Sequence, residues 1–558
     1  MTEHLISLML VLPFLGAFFQ AAAPEVAFLK NRGTGLSRAV ALLTSIGSGL
    51  LGVALVASLN SADPALQLNE QIHWIGSYSI SYDLGLDGIN SPLVLLISLG
   101  FPLLVASEWD RKDGVRGIQG LLLMLQSALL GAVCSQDMFL LFFFWSLSSL
   151  PLYFLIGIWG GENREQAAFR TIVASAVGNA LLFAALVLIY YAVEPHSFSL
   201  RELSGGILDN KTLEVFGRDV SLSKVAFGLI ALGLAFRAPV WPLHGWFTLA
   251  AQEAPPSVLA ALSAAVVPVA TGIFLRLSYS LFPATVNTVS DMVVFVGSLS
   301  LLMGGLCAVA QRGLRLLMAF FTVSEVGLIL MGIGSLTSAG AVGAIYHQLV
   351  VGLALTGFGL FIGVMNERSG HVEFRTQDGQ PTMGGVSYRS PTLAVIAALI
   401  IASLLGIPGL GGFVGHSLLL VGTYELHPFA VILAGVAFLM ATYYLMTMYR
   451  FVFFGNMAGS QALSEDLRLQ ERGTLVPLVF FLLFFGVYPK PLIELIRPSA
   501  AVLLSSIQGG APTTPTSAPF QDAIAPEPSV EQPAPAAPAS AGATVGAPGE
   551  ELKTEGGQ

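Results

Sequence analysis

The chain has 558 residues, of which 54% are hydrophobic and only 11% charged, and its mean hydropathy is +0.76. That balance excludes a water-soluble fold. The formal net charge is −9, with no nucleic-acid signature and no Gly-rich nucleotide loop placed between a strand and a helix, so an all-α polytopic membrane protein is expected.

A crossing helix needs roughly 20 apolar residues. On that ruler helices are predicted near 4–28, 38–59, 89–107, 118–135, 138–158, 167–192 and 223–241. A second series is predicted near 256–282, 288–309, 315–336, 339–366, 391–423, 428–454 and 473–508, the last with a candidate break at Tyr488-Pro489-Lys490-Pro491. The count is fourteen. The leader before the first helix lacks the positive segment of a signal peptide, and the apolar stretch is too long for one. Cys134 and Cys307 fall in predicted spans with no metal or redox spacing and are expected to pack as apolar residues.

With the N-terminus outside, sixteen of the 25 basic residues fall in cytoplasmic loops, Arg111, Arg164, Arg312, Arg375 and Arg468 among them. The opposite loops hold Arg201, Lys211, Arg218 and Lys224, all in one long connection. Basic residues concentrate on the cytoplasmic side, so both termini are expected on the outer side. After residue 508 the composition turns to Pro, Ala, Ser, Thr and Gly with scattered acids. The expected organisation is a membrane domain over 1–508 and a disordered acidic tail over 509–558.

One stretch breaks the apolar rule. Residues 233–256 place Arg237, Pro239, Pro242 and His244 inside or beside a hydrophobic span. A charge at helix centre costs about 2.5–3.5 kcal/mol on insertion scales, so Arg237 is expected to face protein or water. The prolines Pro239 and Pro242 interrupt the seventh span, and Gly406, Pro408 and Gly409 interrupt the twelfth, five helices later. Paired interruptions of this kind point to a site in repeat-built transporters, because broken backbone is tolerated at that depth only where neighbours or water satisfy it.

The strings DMFLLFFFWSLSSLPLYFLIGIWGG from Asp137, AFRAPVWPLHGW, SEVGLILMGIG, GIPGLGGFVGHSLLL and FGVYPKPLIEL keep a shared order and spacing. They resemble the antiporter-like subunits of respiratory complex I, in particular the subunit M (chain 4) branch, over about residues 1–508. The resemblance implies about 14 transmembrane helices, two inverted five-helix repeats, and broken helices 7 and 12. It also implies a mid-membrane line of ionisable residues, from which this chain departs. Ser146 stands where the family carries a glutamate, Arg237 and Pro268 where it carries lysines, and His416 where it carries an acid. Glu325 replaces a histidine, and Val350-Val351 another, with His347 about one turn away.

Lysine can shift its pKa by several units, whereas arginine stays protonated and serves only as a fixed charge. The proton-path candidates are therefore Arg237 as that fixed charge, held by carbonyls or by an acid such as Glu325, and Glu325, His347 and His416 as titratable members. Arg276 is expected to snorkel to the interface, Asp87 and Asp137 to cap helices, Glu253 to sit in a loop, and Phe142-Phe143-Phe144-Trp145 to pack against lipid or helices.

The function implied is that of a membrane-arm subunit of a proton-translocating NADH–quinone oxidoreductase in a bacterial cytoplasmic membrane. Its partners would be the lipid bilayer and other membrane-arm subunits. No cofactor is expected in this chain, with NAD(H), flavin, iron–sulfur clusters and quinone held by partners. The alternatives are a subunit of a multisubunit cation/proton antiporter or inorganic-carbon uptake system, and a non-pumping structural paralogue.

Overall fold

The computed structural model describes residues 4–22, 33–215, 218–369, 372–455 and 466–507. The expected tail, 509–558, lies outside them. Among the described residues eleven helices are long and apolar enough to cross a membrane, and three shorter apolar helices, Ser91–Ser107, Leu222–Ala235 and Pro391–Leu404, accompany them. Two antiparallel hairpins occupy connections, Gln67–Ile75 with Ile80–Leu86 and Thr212–Val215 with Arg218–Ser221. No strand was expected in either connection.

The helices divide into an interior and a perimeter. The most apolar part of Pro256–Leu281 is wholly buried (100%), and that of Ser338–Arg368 nearly so (94%), against 33% for Pro428–Phe453. The long helix Ser338–Ser369 packs against Gly411–Leu426, Ser91–Ser107, Pro256–Ala261 and Leu469–Val487. Perimeter helices keep large apolar side chains such as Leu43, Phe295 and Leu439 exposed, as a lipid- or partner-facing surface requires.

Several predicted spans are interrupted, each at an identifiable backbone fault. The seventh ends at Ala235, passes through an irregular turn, and resumes as Gly245–Glu253; Pro239 and Pro242 can neither donate a helical hydrogen bond nor fit the interior of a helix. The twelfth ends at Leu404 and resumes at Gly411. Gly406 (φ 68°) and Gly409 (φ 93°) hold left-handed conformations there, which glycine adopts without a Cβ clash.

The last predicted span is two helices, Leu469–Val487 and Lys490–Ile507, divided at Pro489. Two further faults were not foreseen. The fifth span splits at Ser148 into Met138–Leu147 and Ser149–Trp159, because Pro151 leaves the Leu147 carbonyl without its donor. In the eighth, Leu262–Val266 widens to π geometry, with the Val267 N–H bonded to Leu262 O, immediately before Pro268.

Candidate functional site

Glu325 lies on Leu314–Gly334, which packs tightly on Pro283–Val309: a Cβ at Gly327 would fall 2.3 Å from the Leu301 nitrogen. Such close backbone approach needs small residues, and it fixes Glu325 two positions away. The carboxylate is 4% exposed. His347 Nε2, from Ser338–Ser369, donates to Glu325 Oε2 at 2.7 Å, and His416 Nε2, from Gly411–Leu426, lies 3.6 Å from the same oxygen. The two imidazole centroids are 4.6 Å apart.

Three helices therefore converge one carboxylate and two imidazoles in the buried interior, where an unpartnered charge would cost several kcal/mol. The ring of His347 rests on Gly415, where a Cβ would meet Nδ1 at 2.4 Å, and that of His416 on Gly406 at 2.5 Å. Both histidines face the acid rather than backbone carbonyls. Within the cluster the donor atoms all lie within 4.8 Å of one another, so among the described residues it is also the set able to hold a metal ion.

Arg237 is placed elsewhere, in the break of the seventh span, and is 1% exposed. Nη1 donates to Ser149 Oγ at 2.6 Å and to the Trp145 carbonyl at 3.3 Å, and Nη2 to Ser148 Oγ at 2.9 Å. The guanidinium lies over the Trp145 ring, 4.1 Å from its centroid, a cation–π contact strengthened by burial. No carboxylate pairs with it among the described residues. Of the two expected holders, carbonyls or an acid, one carbonyl is present and the acid is not, hydroxyls and an aromatic face completing the set; Trp145 is not the plain packing residue foreseen.

Ser146 places a buried Oγ without a hydrogen-bond partner among the described residues, beside an apolar groove of about 400 Å3 lined by Phe142, Leu150 and Asn179. Pro268 carries no ionisable group, but its carbonyl accepts from Thr271 Oγ1 at 2.9 Å, and Thr271 Oγ1 accepts from Gln348 Nε2 at 3.1 Å. A neutral hydrogen-bonded link therefore reaches the residue beside His347. Three consecutive residues of one helix point to three neighbours: Tyr346 donates to the Phe485 carbonyl at 2.5 Å, His347 to Glu325, and Gln348 to Thr271.

Arg276 does not snorkel. It donates to Asp87 Oδ2 at 2.9 Å and to Gln136 Oε1 at 2.6 Å, because that acid is itself buried at the end of the hairpin. Asp137 caps Met138–Leu147 through the N–H groups of Phe139 and Leu140, and Asp87 accepts from Ile89 and Asn90. Glu253 ends its helix, and its carboxylate accepts from the Asn163 backbone at 3.1 Å. Cys134 and Cys307 are unpaired thiols.

Sequence reading missed Ser148, Ser149, Thr271 and Gln348, ordinary polar residues with no motif around them. One signal was present for the cluster. Against the resemblance, an acid stands in place of a histidine at 325 and a histidine in place of an acid at 416. In the structure those two positions face each other at 3.6 Å.

The model of the NADH:quinone oxidoreductase/Mrp antiporter transmembrane family matches residues 135–439. A subunit M of NADH-quinone oxidoreductase from Rhodobacter capsulatus is 28% identical over 496 residues, covering 88% of this chain and 95% of that protein. Among solved structures, a chain of respiratory complex I from Thermus thermophilus with bound NADH superposes with a TM-score of 0.78 at 24% identity, covering 91% of this chain and 100% of that one. A chain of the Mrp complex from a Dietzia species gives the same TM-score at 20% identity, over 91% and 99%. The match spans more than half of the sequence and includes Ser146, Arg237, Glu325, His347 and His416, and the chain belongs to the NADH:quinone oxidoreductase/Mrp antiporter transmembrane family.

Proposed function

We propose that this chain is a membrane-arm subunit of a complex I-like NADH–quinone oxidoreductase in a bacterial cytoplasmic membrane, contributing to proton translocation driven by electron transfer. The fourteen-crossing architecture with two inverted five-helix repeats, the outer placement of both termini and the disordered tail 509–558 belong to the same proposal. NAD(H), flavin, iron–sulfur clusters and quinone are assigned to partner subunits.

The observation that carries the reading is the convergence of Glu325, His347 and His416 from three helices, one of them broken beside His416. A proton relay needs groups that change charge near operating pH, and imidazoles facing a carboxylate supply them. Arg237 stays protonated and acts on the path as a fixed field. The Pro268, Thr271 and Gln348 link offers hydroxyl and amide groups but no charge of its own.

The equal TM-score of the Mrp chain, at 20% against 24% identity, supports an antiporter or inorganic-carbon uptake subunit as the second reading. The absence of an ionisable group at Ser146 and Pro268 supports a non-pumping paralogue as the third. Purification of the native assembly with identification of its subunits separates the first two. For the third, proton release is measured beside NADH turnover in reconstituted vesicles. His416→Ala is expected to lower the proton-to-electron ratio while leaving NADH oxidation intact, and an unchanged ratio would leave the non-pumping reading standing.

A further inference from the structure

We propose that Glu325, His347 and His416 form a binding site for one divalent transition-metal ion of the zinc class. The site goes beyond the proton relay, and either can fail without the other. Two imidazoles and one carboxylate, with a fourth position for water, are the protein donors of a familiar class of zinc site. Each donor here comes from a different helix and each is more than nine-tenths buried.

The spacing suits an ion. Zinc bonds of about 2.0–2.2 Å in tetrahedral geometry hold donor atoms roughly 3.3–3.5 Å apart. His416 Nε2 stands 3.6 Å from Glu325 Oε2 and has no hydrogen-bond partner among the described residues, so a shared ion would satisfy both. His347 Nε2, at 2.7 Å, would exchange its hydrogen bond for coordination by opening roughly 0.6–0.8 Å.

Chemistry selects the ion class. Calcium and magnesium demand shells of oxygen, which one carboxylate cannot provide, whereas imidazole nitrogen suits zinc and its neighbours in the first transition row. The break of the twelfth span lies beside the cluster: Ile407, Pro408 and Gly409 are exposed in this chain, and Gly406 abuts the His416 ring.

The test uses the purified native assembly equilibrated with Zn2+ and washed. Bound zinc and the zinc-edge X-ray absorption spectrum are compared with those of His416→Ala, Glu325→Gln and His416→Cys. The wild type is expected to retain one more Zn2+ per copy of this chain than the Ala and Gln variants, which should bind it at least about tenfold less tightly. His416→Cys should keep the ion and add one sulfur to its shell. Equal zinc in the wild type and both weakened variants, or a Cys variant whose zinc shows no added sulfur, overturns the site. The sulfur signal decides the matter even if a weakened variant fails to assemble.

Discussion

Arg237 is held by oxygens that carry no charge. Burying a charge is expensive, and replacing buried ionic groups by well-packed hydrophobic ones is often neutral or stabilising by about 1–4 kcal/mol. Arg237→Met is therefore expected to leave the thermal midpoint of the assembly unchanged or raised, whereas Glu325→Ala, which strips the acceptor from His347, should lower stability by about 1–3 kcal/mol. A sharp loss in Arg237→Met melts would mean that an unseen anion balances the guanidinium. Asp137 behaves differently. Burial pushes its carboxyl above the usual range, against backbone N–H donors from Leu140, Ser81 and Phe139. A raised carboxyl contributes stability that is complete below its unfolded value and is lost as pH rises through the folded one. Asn caps about as well as Asp, so Asp137→Asn melting, compared with wild type, should improve as pH rises from the ordinary carboxylate value of 3.8 through the raised one; a pH-independent difference refutes this. Little at this scale was legible beforehand. Glu325 and His347 are 22 positions apart and His416 is 69 beyond His347, and no local pattern joins such positions. Arg237 stood out only because charge is rare in an apolar run.

Helices were far more legible. Each predicted segment contains an apolar helix among the described residues, since hydropathy over about 20 residues tracks the bilayer directly. The interruptions were legible only where proline and glycine clustered. At Ser148 and at Leu262–Val266 hydropathy is uninterrupted, and the cause is a single missing N–H, at Pro151 or Pro268, whose effect depends on how the backbone re-pairs. Gly406 shows what such a position tolerates. Its φ of 68° disfavours any side chain, and a Cβ would meet His416 Nδ1 at 2.5 Å. Gly406→Ala is expected to cost about 1–3 kcal/mol and to displace His416, read as a lower melting temperature together with a changed proton-to-electron ratio. Gly435→Ala, where a Cβ meets nothing within 4 Å, should instead be neutral or stabilising by up to about 1 kcal/mol.

At the scale of the whole molecule, basic loop residues meet one another at one end. Arg38 donates to the Arg111 carbonyl, Arg111 and Ser257 converge on Glu108, Gln470 reaches Ala106, and Arg368 pairs with Glu471. The hairpin Gln67–Ile75 with Ile80–Leu86 carries the ion pair of Arg201 with Asp83, and the pair of Arg276 with Asp87 lies at the end of its second strand. If the basic end is cytoplasmic, a reporter fused near Arg375 will report the cytoplasm and one fused after residue 508 the outer side. The same side for both would break the fourteen-crossing proposal.

Tyr346, His347 and Gln348 have a mechanical consequence. Successive side chains on a helix point about 100° apart, so three hydrogen bonds from consecutive residues grip Ser338–Ser369 from three directions around its axis. A twist of even one residue step would break all three at once. Torsional motion is thereby closed to this helix as a means of carrying a signal, while proton movement among its side chains stays open.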